Sequence, residues 1–389
     1  MAHPIYLDGF ATLPLAPEAR DAMLAVLASP GNAGSPNVSG EIAARTIADG
    51  RGSVADLIGA AASEIIFTSG ATEANNLAIL GVARAACGLK PNRRRVLVSG
   101  IEHKAVLEPA EALKSEGFEV SIAPVDHRGR LDLAEFEQLI DEDLLLASVM
   151  MVNNETGVIQ PVKEAAALAH ASGALFHSDA AQAAGKIDVD VVDLDVDYLT
   201  LSGHKFYGPM GIGALYIAAS ALKPLPLTFG GNQQSGLRPG TEPVALIAAF
   251  GAAAKVAKHR LLSDREHCSG LIDQLLETLE QHQLRFRLVS GDAPTVPGAA
   301  SIQLFGVDAD ELCARIARHV SISTASACTS GQIKTSHVLE SIGLSKLDAR
   351  SVVRIFCNRY QNSQEILSAA NYIVEAAALS RLETGEVHQ

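Results

Sequence analysis

Residues 325–331 read ASACTSG, so Cys328 stands among Ala325, Ser326, Ala327, Thr329, Ser330 and Gly331, with no bulky neighbour to pack against. A core strand would surround a thiol with branched apolar residues; this composition suits a loop carrying a reactive group. A thiol of ordinary pKa, about 8.5, is mostly protonated at neutral pH, so a nearby base or positive field must activate it. Cys87, Cys313 and Cys357 instead sit in helix- or strand-like patterns among apolar residues and read as inert core cysteines.

Three other stretches carry chemistry. TLSGHKFYGPMGIGALY (200–216) places Lys205 directly after an apolar strand and ahead of several glycines. HSDAAQAAG (177–185) ends another apolar strand with Asp179 and holds Gln182 three residues later. TSGATEANNLAI (68–79) joins a strand to a helix through Gly70. There the amides of Ala71 and Thr72, with the Thr72 hydroxyl, form a phosphate cradle at a helix N-terminus. Singly these read as a turn lysine, a helix-capping aspartate and a tight turn. Together they supply what a pyridoxal phosphate site needs: an amine to link the cofactor, an acid to keep its ring nitrogen protonated, and a phosphate cradle.

The elements that must position these groups alternate along the chain. Apolar, strand-like runs at 64–69, 95–100, 119–125, 144–153, 174–180, 196–203 and 213–217 are mostly separated by helical patterns, such as EANNLAILGVARAAC (73–87). Such strands form a largely parallel sheet covered on both faces. Ligands bind at the carboxyl ends of its strands, where Asp179 and Lys205 lie. From about Pro243 an Ala-rich helical stretch begins, and a second set follows: a strand at 299–304, a helix at 308–319, a strand at 351–358 and a last helix capped by Asn362 or Ser363. The domain change falls inside the long helix, near residue 258.

Composition bounds the function classes. The 389 residues suffice for two domains or a large and a small one, without disulfide or metal staples. A net charge of −13 argues against direct nucleic-acid binding, and the one dense basic cluster, Arg93-Arg94-Arg95, reads as a solvated loop. Five scattered cysteines with no CxxC pair fit a reducing cytosol rather than a disulfide framework or zinc site. The N-terminus lacks a signal-like pattern and no apolar run reaches membrane-spanning length. The reading is a soluble, cytoplasmic protein with no bound metal and no membrane contact.

The motifs YLDGFAT, IFTSGATEANNLAI, EHKAVL, VNNETGVIQPV, HSDAAQAAGK, LSGHKFYGPMGIGALY, GLRPGTEPV and SACTS resemble, from about Tyr6 to Arg359, those of the group I (NifS/IscS-like) cysteine desulfurases. These are class V enzymes of pyridoxal-phosphate fold type I. The resemblance implies an α/β large domain (16–258) with a mostly parallel seven-stranded sheet. It further implies a smaller α+β C-terminal domain (259–389) bearing the Cys328 loop, and an N-terminal segment (1–15) packed with that domain. It implies that Lys205 holds pyridoxal 5'-phosphate, Asp179 pairs with its ring nitrogen, Gln182 bonds its phenolic oxygen, and His103 stacks on the ring and moves protons. Ala71, Thr72, Ser202 and His204 would bind the phosphate, with Thr241 arriving from the partner subunit of a homodimer. Asn154 and Arg354 would hold the carboxylate of L-cysteine. Cys328 would take the substrate sulfur as a persulfide, leaving L-alanine, and pass it to an acceptor protein.

Departures from the family pattern concern Leu13, Gln234, Ser235 and Pro239, and the tail SRLETGEVHQ lacks the segment that housekeeping members use to engage an iron–sulfur scaffold. The destination is therefore iron–sulfur cluster assembly or a thio-modification of nucleic acid such as DNA phosphorothioation. The competing readings are another class V enzyme, a selenocysteine lyase or aminotransferase, and an inactive sulfur-relay subunit. A nicotinamide enzyme is disfavoured because no GxGxxG follows an early strand.

Overall fold

The computed structural model describes residues 4–90, 92–324 and 336–383. In chain order its strands are β1 (Ile5–Tyr6), β2 (Ile65–Thr68), β3 (Arg95–Ser99), β4 (Glu119–Ala123), β5 (Leu144–Ser148), β6 (Leu175–Asp179), β7 (Tyr198–Ser202) and β8 (Gly213–Ile217). After them come β9 (Phe286–Leu288), β10 (Ala299–Leu304), β11 (Val320–Ser321), β12 (Ser323–Thr324) and β13 (Val352–Phe356).

Strands β2 to β8 form one seven-stranded sheet in the order β2-β8-β7-β6-β5-β3-β4. Every pairing among β3 to β7 is parallel, and only β8 runs against its neighbours β7 and β2. Strands β5, β6 and β7 are buried along their whole length, as expected for a sheet covered on both faces. The apolar run 144–153 is strand only to Ser148. Beyond it the chain stays buried but leaves the ladder, its Val149 and Met151 amides donating to the carbonyls of His177 and Asp179 at 3.1 and 2.9 Å.

A second, antiparallel sheet has the order β12-β13-β10-β9, covered by helices Ala309–Ile316 and Ser363–Glu383. Asn362 starts the last helix: its side chain accepts from the Gln364 and Glu365 amides while Glu365 reaches back to its own N–H, a reciprocal cap. The 38-residue helix Val244–Gln281 joins the two cores. Its residues Ile247 to Ala257 pack into the large core, and Leu271 to Leu279 into the second. Helix Val38–Leu57 crosses it in backbone contact at a glycine pair; a Cβ on Gly251 would lie 2.5 Å from the Gly50 Cα.

The N-terminal segment spans both units. β1 pairs in parallel with β11, the Leu7 carbonyl accepts from Phe356 at 2.8 Å, and the Leu13 amide donates to the His204 carbonyl at 2.9 Å, beside Lys205. One expectation needs correcting: Arg93-Arg94-Arg95 is not a solvated loop. Arg93 donates to the Leu144 and Ser172 carbonyls at 2.5 and 2.6 Å, and Arg95 to that of Leu139 at 2.6 Å. Arg94 lies over the Phe118 ring. The guanidinium groups satisfy carbonyls at element ends that the apolar strand pattern does not reveal.

Candidate active site

Strand β7 ends at Ser202 and turns through a short 3-10 helix, Gly203–Lys205, whose compactness needs Gly203: a Cβ there would sit 2.9 Å from the Pro209 carbonyl. Lys205 Nζ donates to the carbonyls of Phe10 and Ala11 at 2.5 and 2.9 Å. On the adjacent strand Asp179 is the last residue of β6 and only 5% exposed. One of its oxygens accepts from Asn75 Nδ2 at 2.7 Å and the other from the Ala181 amide at 2.9 Å. Gln182, a turn beyond, donates to the Phe10 carbonyl at 2.9 Å, so it and Lys205 share one acceptor.

His103 is the N-cap of helix Lys104–Leu113, and its Nδ1 accepts from the Ala105 amide at 3.1 Å. A ring nitrogen that accepts is unprotonated, which puts the proton of the neutral ring on Nε2. Burial holds its pKa below 6.5; Asp179 opposes this, while Lys205, His337 and Lys104 add to it. Helix capping and a proton-handling role are thus compatible, one on each nitrogen. His177, in the same motif as Asp179, is different: it bridges Ser148 and Thr200 inside the sheet, and burial pulls its pKa down to about 3. It is a neutral core histidine.

Gly70 adopts φ +155°, and helix Ala71–Asn76 starts immediately after it. At the first two helical positions the Ala71 and Thr72 amides have no intrahelical acceptor. A Cβ on Gly213 would lie 2.7 Å from the Gly70 backbone, so β8 approaches this turn as closely as glycine allows. Beside it His204 has a buried Nδ1 without a hydrogen-bond partner among the described residues. Burial, with Lys205 and Lys186 adding, pulls its pKa down to about 4. Amides with no intrahelical acceptor, a neutral imidazole nitrogen unsatisfied among the described residues, an amine and a buried carboxylate in one place fit the phosphate, aldehyde and ring nitrogen of pyridoxal phosphate.

Arg354, on β13, is 3% exposed. It donates to the Asn154 carbonyl and the Ser323 hydroxyl, both at 2.9 Å, and pairs with Asp8 at 3.3 Å, leaving Nε without a partner among the described residues. Ser323 also donates to Asp8 at 2.8 Å. Glu155, next to Asn154, accepts from Ser336, which caps helix His337–Ser341. Cys328 lies outside the described residues. The nearest described residues before and after it, Thr324 on β12 and Ser336, adjoin or form these contacts.

Ten of the twelve anticipated residues line one cavity of about 670 Å³: Lys205, Asp179, Gln182, His103, Ala71, Thr72, Ser202, His204, Asn154 and Arg354. Thr241 is elsewhere, in a depression with Pro239, Arg238, Glu73 and Phe229. Near it Gln234 (φ +48°) is a staple rather than a loose loop residue, accepting from Phe67 N–H and Arg51 and donating to Glu242. Asn75, Asp8 and Lys186 escape sequence reading. Their one signal is a polar residue in or beside an apolar run; Asn75 and Asp8 find their partners far along the chain, and Lys186 finds Gln182 four residues back.

The fold and cavity can be set against known proteins. The family model described as aminotransferase class-V matches residues 5–368. The chain belongs to the class-V aminotransferase family. Within that family, cysteine desulfurase IscS of Rickettsia akari (strain Hartford) is 40% identical over 373 residues, which cover 95% of this chain and 90% of the relative. Among solved class-V-like structures, a NifS-like protein superposes with a TM-score of 0.89 at 31% identity, covering 97% of this chain and 100% of that one. SspA in complex with cysteine gives a TM-score of 0.80 at 34% identity, covering 92% and 100%.

Proposed function

We propose that this class-V chain is a cysteine desulfurase: it takes sulfur from L-cysteine, releases L-alanine and carries the sulfur as a persulfide on Cys328. The observation that carries this reading is the convergence of Lys205, Asp179, His103 and Arg354 on one cavity, in a chain 40% identical to a desulfurase over nearly its whole length. Pyridoxal 5'-phosphate is the cofactor that fits. Bound there, it supplies an electron sink that acidifies the substrate Cα–H and loosens the Cβ–S bond.

The chain's own groups do the rest. Ala71, Thr72, Ser202 and His204 hold the phosphate, with Thr241 delivered across a homodimer interface. Asp179, fixed by two donors, accepts from the ring nitrogen, and Gln182 donates to the phenolic oxygen. Arg354 takes the substrate carboxylate, with Asn154 beside it. The Lys205 amine removes the α-proton, and His103 exchanges a proton through Nε2. The Cys328 thiolate attacks the substrate sulfur: an S–S bond forms as Cβ–S breaks, the electron pair stays with carbon, and a proton on that carbon, with the α-proton returned by Lys205, completes alanine. An acceptor protein then takes the sulfur, for iron–sulfur clusters or for thio-modification of nucleic acid.

The reading is tested by incubating purified, cofactor-loaded protein with L-cysteine and reductant. Alanine and sulfide in equal amounts are expected. A keto acid in place of alanine would identify a transaminase or a β-eliminating lyase instead.

A further inference from the structure

Lys186 has no part in this scheme, yet it is 7% exposed and touches the scheme at one point: Nζ donates to Gln182 Oε1 at 2.7 Å. The same nitrogen sits 5.0 Å from the centre of the Phe356 ring, which packs edge-on against Phe10. The other end of the Gln182 amide donates to the Phe10 carbonyl, where Lys205 Nζ also donates. The two ends of a glutamine amide are almost identical in shape, so only their partners decide which faces the site. With the Lys186 donor on Oε1, the N–H edge is left for the Phe10 carbonyl, the acceptor that Lys205 shares. A buried amine is costly to retain where a methionine would fill the space, and burial, with Lys205 adding, drives the Lys186 pKa far down while Cys268 opposes it.

We propose that Lys186 is a positioning residue: it fixes Gln182 so that a phenolic oxygen bound beside Lys205 meets a donor rather than an acceptor. This rests on the pyridoxal phosphate reading above. A donor steadies the phenolate most when the lysine–cofactor linkage has lost its proton, so it lowers the pKa of that linkage. Losing the donor, or flipping the amide, raises it.

The experiment is a pH titration of the visible absorbance of the lysine-bound cofactor in the full-length, cofactor-loaded enzyme. Wild type is compared with Lys186→Met, Gln182→Ala and the double variant. The titratable neighbours, Lys205, His204 and Cys268, are the same in all four. Lys186→Met should raise the linkage pKa by about one unit, the scale of one hydrogen bond to a charged oxygen. Gln182→Ala should do likewise, and the double variant should rise no further than Gln182→Ala alone. No shift in Lys186→Met, or the same added shift in the Gln182→Ala background, overturns the inference. Should Lys186→Met not fold, Lys186→Gln, a shorter donor, replaces it and must also lose its shift in that background. A wild type that stays colourless with added cofactor overturns the functional reading and this inference with it, whereas a yellow, titrating wild type isolates the role of Lys186.

Discussion

The side chains that meet in the cavity divide proton handling by their surroundings. His103 spends Nδ1 on its own helix and keeps Nε2. Replacing it with alanine should cut turnover by roughly a hundredfold or more while the protein remains yellow; unchanged turnover would remove it from the mechanism. Just before it, Glu102 is fully buried and takes bonds from Ser99 and the Met150 amide, both at 2.6 Å, on one oxygen, the other having no partner among the described residues. Burial raises its pKa from 4.5 to about 8; the two bonds oppose this and Asp179 adds to it. The folded state therefore keeps a proton that the unfolded chain has lost over this range, so this residue's contribution to stability falls as pH rises from about 4.5 to about 8. Glu102→Gln removes that dependence. Its melting temperature relative to wild type should climb between pH 5 and pH 8.5, and a constant difference would contradict the assignment.

Among elements, the turn after β7 depends on a distant support. Tyr207, two residues past Lys205, adopts φ +67°, costly for a side chain of its size. Its hydroxyl accepts from the Arg359 amide at 3.0 Å, and the Arg359 guanidinium lies 3.6 Å from its ring centre. Arg359 in turn pairs at 2.7 Å, off hydrogen-bond geometry, with Asp264 on the long helix, and both side chains are buried. Asp264→Ala strands a buried cation and should destabilise the fold by about 3 kcal/mol in denaturant unfolding. Pairing Asp264→Leu with Arg359→Met should recover most of that, and a neutral Asp264→Ala would refute the support. How far such features can be read in advance follows from their range. β6 and β7 are plain in the sequence because burial on both faces writes continuous apolar runs. The stretch 149–153 is apolar for burial without being a strand, which periodicity cannot separate. Asp179 and Lys205 are legible because they end or closely follow such strands. Asp8 and Asn75 are not, since the groups that give them meaning lie on other elements; nor is Lys186, since the turn that carries it and Gln182 has no periodicity to say which side chains face inward.

For the whole molecule, two cores share one helix, and the N-terminal segment ties the small sheet to the Lys205 turn, so the cavity lies where both units contribute. Arg354 comes from β13 and Asp179 from β6. Thr241, Pro239 and the 89%-exposed Phe229 sit apart from that cavity, consistent with a surface that completes the site of a second copy. Sedimentation should give twice the 40.7 kDa chain mass, and Phe229→Asp should weaken both association and cofactor retention; a fully active monomer would contradict this arrangement. The central claim, sulfur carried on Cys328, is tested most directly by comparing wild type with Cys328→Ser after L-cysteine is added without reductant. A protein-bound persulfide, detectable by intact mass, is expected in wild type only. Sulfide release should be lost in the variant, whose absorbance should still respond to cysteine. A variant that releases sulfide and alanine as fast as wild type would contradict it.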